Sequence, residues 1–240
     1  FLPPLLLLVY DKPEEIGLRP DGEQSTTAET DAQPDPSAIP GLTLGEALST
    51  VSFYIVSAGW FLIAMLVTTL HFWQVTVMTK QGVSTEVAAQ AFTISAIAMA
   101  CAMPFVGRAF DRFRTRYVFA TGLTITACSL VVVTFTHDTV TASGYALLFG
   151  LNNAFSMTMF GYLWPRYFGR RHLGAIQGTG QMIGVVGASL GPIPVGWAFD
   201  TFGDAAWSLR VLALFPLLIA VIAVAFLRAP SALDESSHLE

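Results

Sequence analysis

The chain has 240 residues, of which 53% are hydrophobic and only 12% charged, with a formal net charge of -5 and a mean hydropathy of +0.59. A soluble chain carries about 25% charged residues, so this composition cannot furnish a water-exposed surface, and its mild acidity does not point to nucleic acid. Cys101 and Cys128, the two cysteines, lie inside apolar stretches, which is not the pattern of a disulfide framework.

The first ten residues, FLPPLLLLVY, are apolar but too short to cross a bilayer, and they lack the basic start and small-residue cleavage site of a signal peptide. They read as the end of a preceding membrane helix. Residues 11–46 change to Pro, Asp, Glu, Ser and Thr, the composition of a solvated linker. Six windows without Asp, Glu, Lys or Arg follow: Ala47–Thr79, Val87–Gly107, Tyr117–His137, Thr139–Pro165, His172–Phe199 and Val211–Leu227. A hydrocarbon core about 30 Å thick takes roughly 20 residues per helix, so each window reads as a transmembrane helix. Residues 47–228 thus form a six-helix, all-α integral membrane domain, and residues 229–240 a tail.

In the first window His71 is the deep titratable group, able to bind an anion or relay a proton. At 1.5 Å per residue it falls towards the far leaflet, where Trp73 suits an interfacial belt, so an interfacial histidine is the competing reading. Glu86 opens the second helix, as an N-terminal helix charge or a gate residue. The segment GRAFDRFRTR, Gly107 to Arg116, sets four arginines and Asp111 between two apolar helices. There Gly107 would let the chain turn at the helix exit, and Asp111 would accept backbone hydrogen bonds or pair with Arg112 or Arg116.

Within the fourth window Tyr145, Phe149, Asn152 and Ser156 follow a +4, +3, +4 spacing that puts them on one face, with Asn153 at its border. Asn152 is near mid-window, and a polar group there either contacts solute or makes an interhelical hydrogen bond. In the fifth window Gly180, Gly184, Gly187 and Gly191 form a small-residue stripe suited to close helix packing, with Gln177 and Gln181 beside it as further solute-binding candidates. The sixth, VLALFPLLIAVIAVAFL, has no polar side chain and reads as lipid-facing. Ten of the twelve Lys and Arg lie on the linker's side of these helices, which predicts a cytoplasmic linker and tail in a multi-pass cell-membrane protein.

The pattern Gly107-x-x-x-Asp111-Arg112-x-x-x-Arg116 resembles the cytoplasmic loop motif of the major facilitator superfamily, which lies between the second and third helices of each six-helix half. Three further stretches, YDKPEEIGLRPDG (Tyr10–Gly22), WPRYFGRRHLGAIQG (Trp164–Gly178) and GPIPVGWAFDTFG (Gly191–Gly203), are similar to the branch that contains oxalate/formate antiporters and monocarboxylate transporters. They match its central loop, the junction of its tenth and eleventh helices, and the end of the eleventh. The resemblance implies that the windows are helices seven to twelve of a twelve-helix fold and residues 1–10 the end of helix six, with an N-terminal six-helix half as partner. It also implies alternating-access transport of a small solute such as a monocarboxylate, with a coupling proton as a further partner. The cavity would be lined by helices seven, eight, ten and eleven, and Gly107, Asp111, Arg112 and Arg116 would gate it.

The chain departs from the oxalate/formate antiporters in having neither Lys nor Arg within windows two and five, where those proteins are expected to carry a dicarboxylate-binding cation. Dicarboxylate is therefore not the expected substrate, which leaves a monocarboxylate bound through the missing half or a neutral or amphipathic solute. No phosphate-binding glycine loop, metal-ligand cluster or nucleophile with its base is present in the sequence, so no cofactor, metal or enzymatic reaction is expected. A transporter-like receptor or assembly protein that moves no solute is the alternative.

Overall fold

The structure, a computed structural model, describes residues 41–228. The expected helix end at 1–10, most of the linker and the tail at 229–240 lie outside the described residues. The elements are α1 (Leu44–Leu48), α2 (Val51–Lys80), α3 (Thr85–Arg112), α4 (Thr115–Val132), α5 (Thr139–Phe168), α6 (Leu173–Leu190), α7 (Pro192–Phe202), α8 (Ala206–Leu212) and α9 (Leu214–Phe226). A 3-10 turn, Val133–Phe135, extends α4. Gly191, whose backbone stays helical at φ -53° and ψ -53°, separates α6 from α7, and the pair forms one span, Leu173–Phe202; α8 and α9 likewise form Ala206–Phe226.

Helix starts follow their capping chemistry. Thr50 Oγ1 and Ser84 Oγ accept from the N3 amides of α2 and α3. Asp138 and Thr141 form a reciprocal capping box at the start of α5, and Thr43 with Glu46 does the same for α1. The hydroxyl and amide of Thr141 hold the Asp138 carboxyl below its ordinary value, as Thr43 does for Glu46.

Among the described residues, five helices are long and apolar enough to cross a membrane: α2, α3, α4 with its 3-10 turn, the α6–α7 pair and the α8–α9 pair. The sixth expected span, α5, is 30 residues long yet is not among them, because Asn152, Asn153, hydroxyl side chains and glycines dilute it. It is instead heavily enclosed by protein: Tyr145, Phe149, Met159 and Phe168 are all fully buried. The main helix pairs are α3 with α5, α2 with α6, and α4 with α9.

Glycines set the α2–α6 contact. A Cβ at Gly187 would meet Phe61 O at 2.5 Å and one at Gly191 would collide with Met65 O, so only the missing side chains let the backbones approach this closely. Gly180 and Gly184 receive the indoles of Trp164 and Trp60 in the same way, whereas a Cβ at Gly174 or Gly178 would meet nothing. The expected packing stripe is therefore Gly180 to Gly191 alone.

Bonds between helix ends sort the loops into two groups. At one end Ser52 Oγ donates to Arg228 O, Leu42 N to Phe168 O, and Gly41 bridges Gly169. At the other, Lys80 Nζ donates to Gly203 O, Thr136 Oγ1 to Gln81 Oε1, and Arg210 Nε to Thr134 Oγ1. The arginines of the Gly107–Arg116 and Arg166–Arg171 segments share the first end, as the sequence requires.

Three boundaries differ from expectation. Residues 41–46, assigned to the linker, already belong to the folded domain, because the Gly41–Gly169 bridge and the Thr43–Glu46 box fix them. Helix α3 continues past Gly107 to Arg112, so Gly107 makes no turn; the chain leaves the helix only at Phe113, whose φ of -110° and ψ of 157° are extended. The last span starts at Ala206, which places Arg210 inside a helix, where Thr134 and the Phe135 ring, 4.6 Å away, receive its guanidinium.

Candidate functional site

His71 sits on an exposed part of α2, with its ring 4.7 Å from that of Phe149 on α5 and 6.3 Å from that of Phe92 on α3. Its Nδ1 lies 2.9 Å from Val67 O. A carbonyl only accepts, so Nδ1 carries the proton of that bond and Nε2 is left to meet solvent or solute. One turn further along α2, Gln74 is 1% exposed and its Oε1 accepts from Tyr145 Oη at 3.0 Å. Tyr145 stacks on Phe149 at 5.6 Å, which closes the cluster. Gln74 Nε2 is buried without a partner. Gln74 was not among the sequence candidates, although it is a lone glutamine within a charge-free window, towards its far end.

The α5 face folds as the +4, +3, +4 spacing predicts, with Tyr145, Phe149, Asn152 and Ser156 all buried. Asn152 Oδ1 accepts from Thr126 Oγ1 of α4 at 2.7 Å, so half of the amide is held by an interhelical hydrogen bond. Its Nδ2 is buried without a partner. Ser156 Oγ donates to Asn152 O, which ties it to its own helix. Asn153, 8% exposed, lies one turn of α5 from Phe149.

A second polar and aromatic group lies towards the arginine-rich end. The Trp60 indole of α2 packs 4.7 Å from the Phe160 ring of α5, and Gln177 Nε2 of α6 donates to Phe160 O at 3.4 Å. Trp60 Nε1 is buried without a partner, against Gly184. Gln181 is exposed on α6, one turn beyond Gln177. The Gly184–Trp60 and Gly191–Met65 contacts show that α2 and α6 run in the same direction, so Gln181 lies about four turns, roughly 20 Å, from the level of His71. The structure thus brings His71, Gln74 and Tyr145 together, and Trp60 and Gln177 together, as two groups at different depths.

The loop residues stay apart from both groups. Gly107 lies within α3, with open space where a Cβ would stand. Asp111 and Arg112 are exposed in its last turn. Arg116, at the start of α4, donates to Tyr117 Oη at 3.1 Å and lies 4.8 Å over that ring. Among the described residues Asp111 makes no ion pair with Arg112 or Arg116, so the pairing expected from the sequence is not formed.

No curated protein matches the chain. The family model of the Major Facilitator Superfamily matches residues 42–238, which takes in every helix described above. The chain therefore belongs to the Major Facilitator Superfamily, a family of secondary transporters, and is a multi-pass membrane protein.

Proposed function

We propose that the chain is the C-terminal half of a twelve-helix transporter of a small, acceptor-rich solute, with a monocarboxylate as the best-fitting class. One observation carries the solute class. Buried side-chain nitrogens on α2 and α5 without partners are Trp60 Nε1, Gln74 Nε2 and Asn152 Nδ2, all of them N–H donors. A buried unpaired donor costs about 1–3 kcal/mol, and a carboxylate that meets it removes that cost. The acidic residues of the described chain lie at helix ends and in loops, so none competes for these donors within a span.

In this reading His71, Asn152 and Asn153 face the solute from the middle and far end of the bundle, and Gln177 and Gln181 from the arginine-rich end. Nε2 of His71 is the place for a coupling proton. The polar groups occupy two depths, which suits a site reached alternately from the two sides as one half rocks against the other. Gly107, Asp111 and Arg112 at the end of α3 and Arg116 at the start of α4 form the gate. Asp111, without a partner in the described chain, is available to bind the other half in one state and release it in the next. The arginine bias supports a cytoplasmic linker and tail in a protein of the cell membrane.

The test is transport by the full-length protein reconstituted in vesicles, with labelled monocarboxylates and a panel of neutral metabolites, with and without a pH gradient. Saturable monocarboxylate uptake that an inward proton gradient accelerates is the expected result. Uptake of neutral solutes alone would overturn the solute class, and binding without transport of any solute would favour the receptor reading.

A further inference from the structure

A cavity of about 570 Å³ opens at the arginine-rich end, between the end of α3, the start of α4 and the middle of α5. Arg112 and Arg114 stand on its lining together with Tyr117, while Val118, Thr121 and Phe155 continue it along the helices. Phe155 is 7% exposed and packs near Gly122, where a Cβ would meet Phe155 Cδ1 at 3.1 Å, so Phe155 forms an apolar inner wall. The rim is cationic, and among the described residues no carboxylate pairs with Arg112 or Arg114. Phe113 and Tyr117 beside the rim are 61% and 45% exposed, the placement of aromatic rings at a membrane interface.

A cationic rim over an apolar interior selects an amphiphile whose head is an anion. We propose that this cavity binds an anionic phospholipid of the leaflet at the arginine-rich end. Arg112 and Arg114 hold the phosphate, and an acyl chain runs over Val118 and Thr121 towards Phe155. The site rests on the membrane setting of the family and is independent of the solute proposed above. Because α3 and α4 meet here with only Phe113 and Arg114 between them, a bound lipid would fix the angle between the two helices.

Retention of phosphatidylglycerol by the purified full-length protein, measured by native mass spectrometry across a lipid titration, tests the site. Phosphatidylcholine with the same chains and inorganic phosphate serve as the other two arms. A cytoplasmic-face arginine contributes about fivefold to anionic-lipid binding, so Arg112→Gln with Arg114→Gln should weaken phosphatidylglycerol on the order of thirtyfold. Arg166→Gln with Arg170→Gln removes the same charge from the same end and should change binding less than threefold. Thr121→Trp keeps the charge but fills the cavity, and it should also abolish retention, which keeps the test valid if the double arginine variant fails to fold. Equal loss in the two double variants would show only general attraction to charge and would overturn the site. Retention of phosphatidylcholine as strong as that of phosphatidylglycerol, or displacement of the lipid by millimolar phosphate, would overturn it as well.

Discussion

Helix α5 and the last span, Ala206–Phe226, cross the same domain with opposite solutions. The last span is the most apolar of the five that qualify for a membrane, and Leu214, Leu218, Val221 and Phe226 expose more than half of their surface. Helix α5 carries two adjacent asparagines and does not qualify, yet it buries half of its length against α3, α4 and α2. Polar groups are tolerated at membrane depth only where protein covers them, and the two asparagines of α5 are both buried. The candidate solute contacts accordingly cluster on and around α5, and none falls on α9.

Overfilling the two helices should give the largest contrast between them. A Cβ at Gly150 of α5 would meet Ser95 O and the Ala98 Cβ, each at 2.5 Å, so Gly150→Leu should cost at least about 1–3 kcal/mol and lower the melting temperature in detergent. Val221→Leu on α9, where the side chain is 69% exposed, should stay within about 0.5 kcal/mol.

A smaller effect separates structure from binding on α5 itself. Thr126→Val removes the donor to Asn152 Oδ1 and should lower stability by about 1 kcal/mol without changing solute affinity. Asn152→Ala removes that bond and the spare Nδ2 together. It should therefore also weaken apparent affinity roughly three- to tenfold, the equivalent of about 0.5–1.5 kcal/mol. Unchanged affinity in a destabilised Asn152→Ala protein would reduce the residue to packing.

Asp111→Asn should leave the melting temperature unchanged, since Asp111 makes no ion pair within the described chain, while turnover slows. Turnover equal to the parent in well-expressed protein would make the loop a topological anchor only. The mildest effect concerns Asp138, the exposed cap of α5. Its folded pKa lies below the ordinary 3.8, so its contribution is fully present above that value and is lost as pH falls through the lowered one. Helicity should hold steady from neutral pH down to about 4 and decline below it, and Asp138→Asn should remove that component of the decline.

Much of this arrangement was legible in the sequence because a bilayer imposes few solutions. Charge-free windows located every long helix, the glycine spacing located the α2–α6 contact, and the +4, +3, +4 spacing located the buried face of α5. Two kinds of feature were not legible. Helix ends near Gly107 and Gly191 depend on whether the backbone continues through a glycine, which a pattern of charges does not decide. The partners of Asn152 and Tyr145 are supplied by α4 and α2, and spacing along one helix says nothing about which neighbour faces it. Gln74 shows the same limit, since its role depends on Tyr145, 71 residues away in sequence.

In this reading His71 and Gln181, exposed on α2 and α6, line a water-filled cavity, whereas the outer face of α4 meets lipid. Cysteine accessibility in the full-length protein, in native membranes, tests this without knowledge of the solute. His71→Cys and Gln181→Cys are introduced singly into a protein otherwise lacking cysteine, and compared with a variant that retains only Cys128, which is exposed on α4. A hydrophilic thiol reagent should modify His71→Cys and Gln181→Cys readily and leave Cys128 unmodified. Inertness of both introduced thiols, at the level of Cys128, would contradict the account.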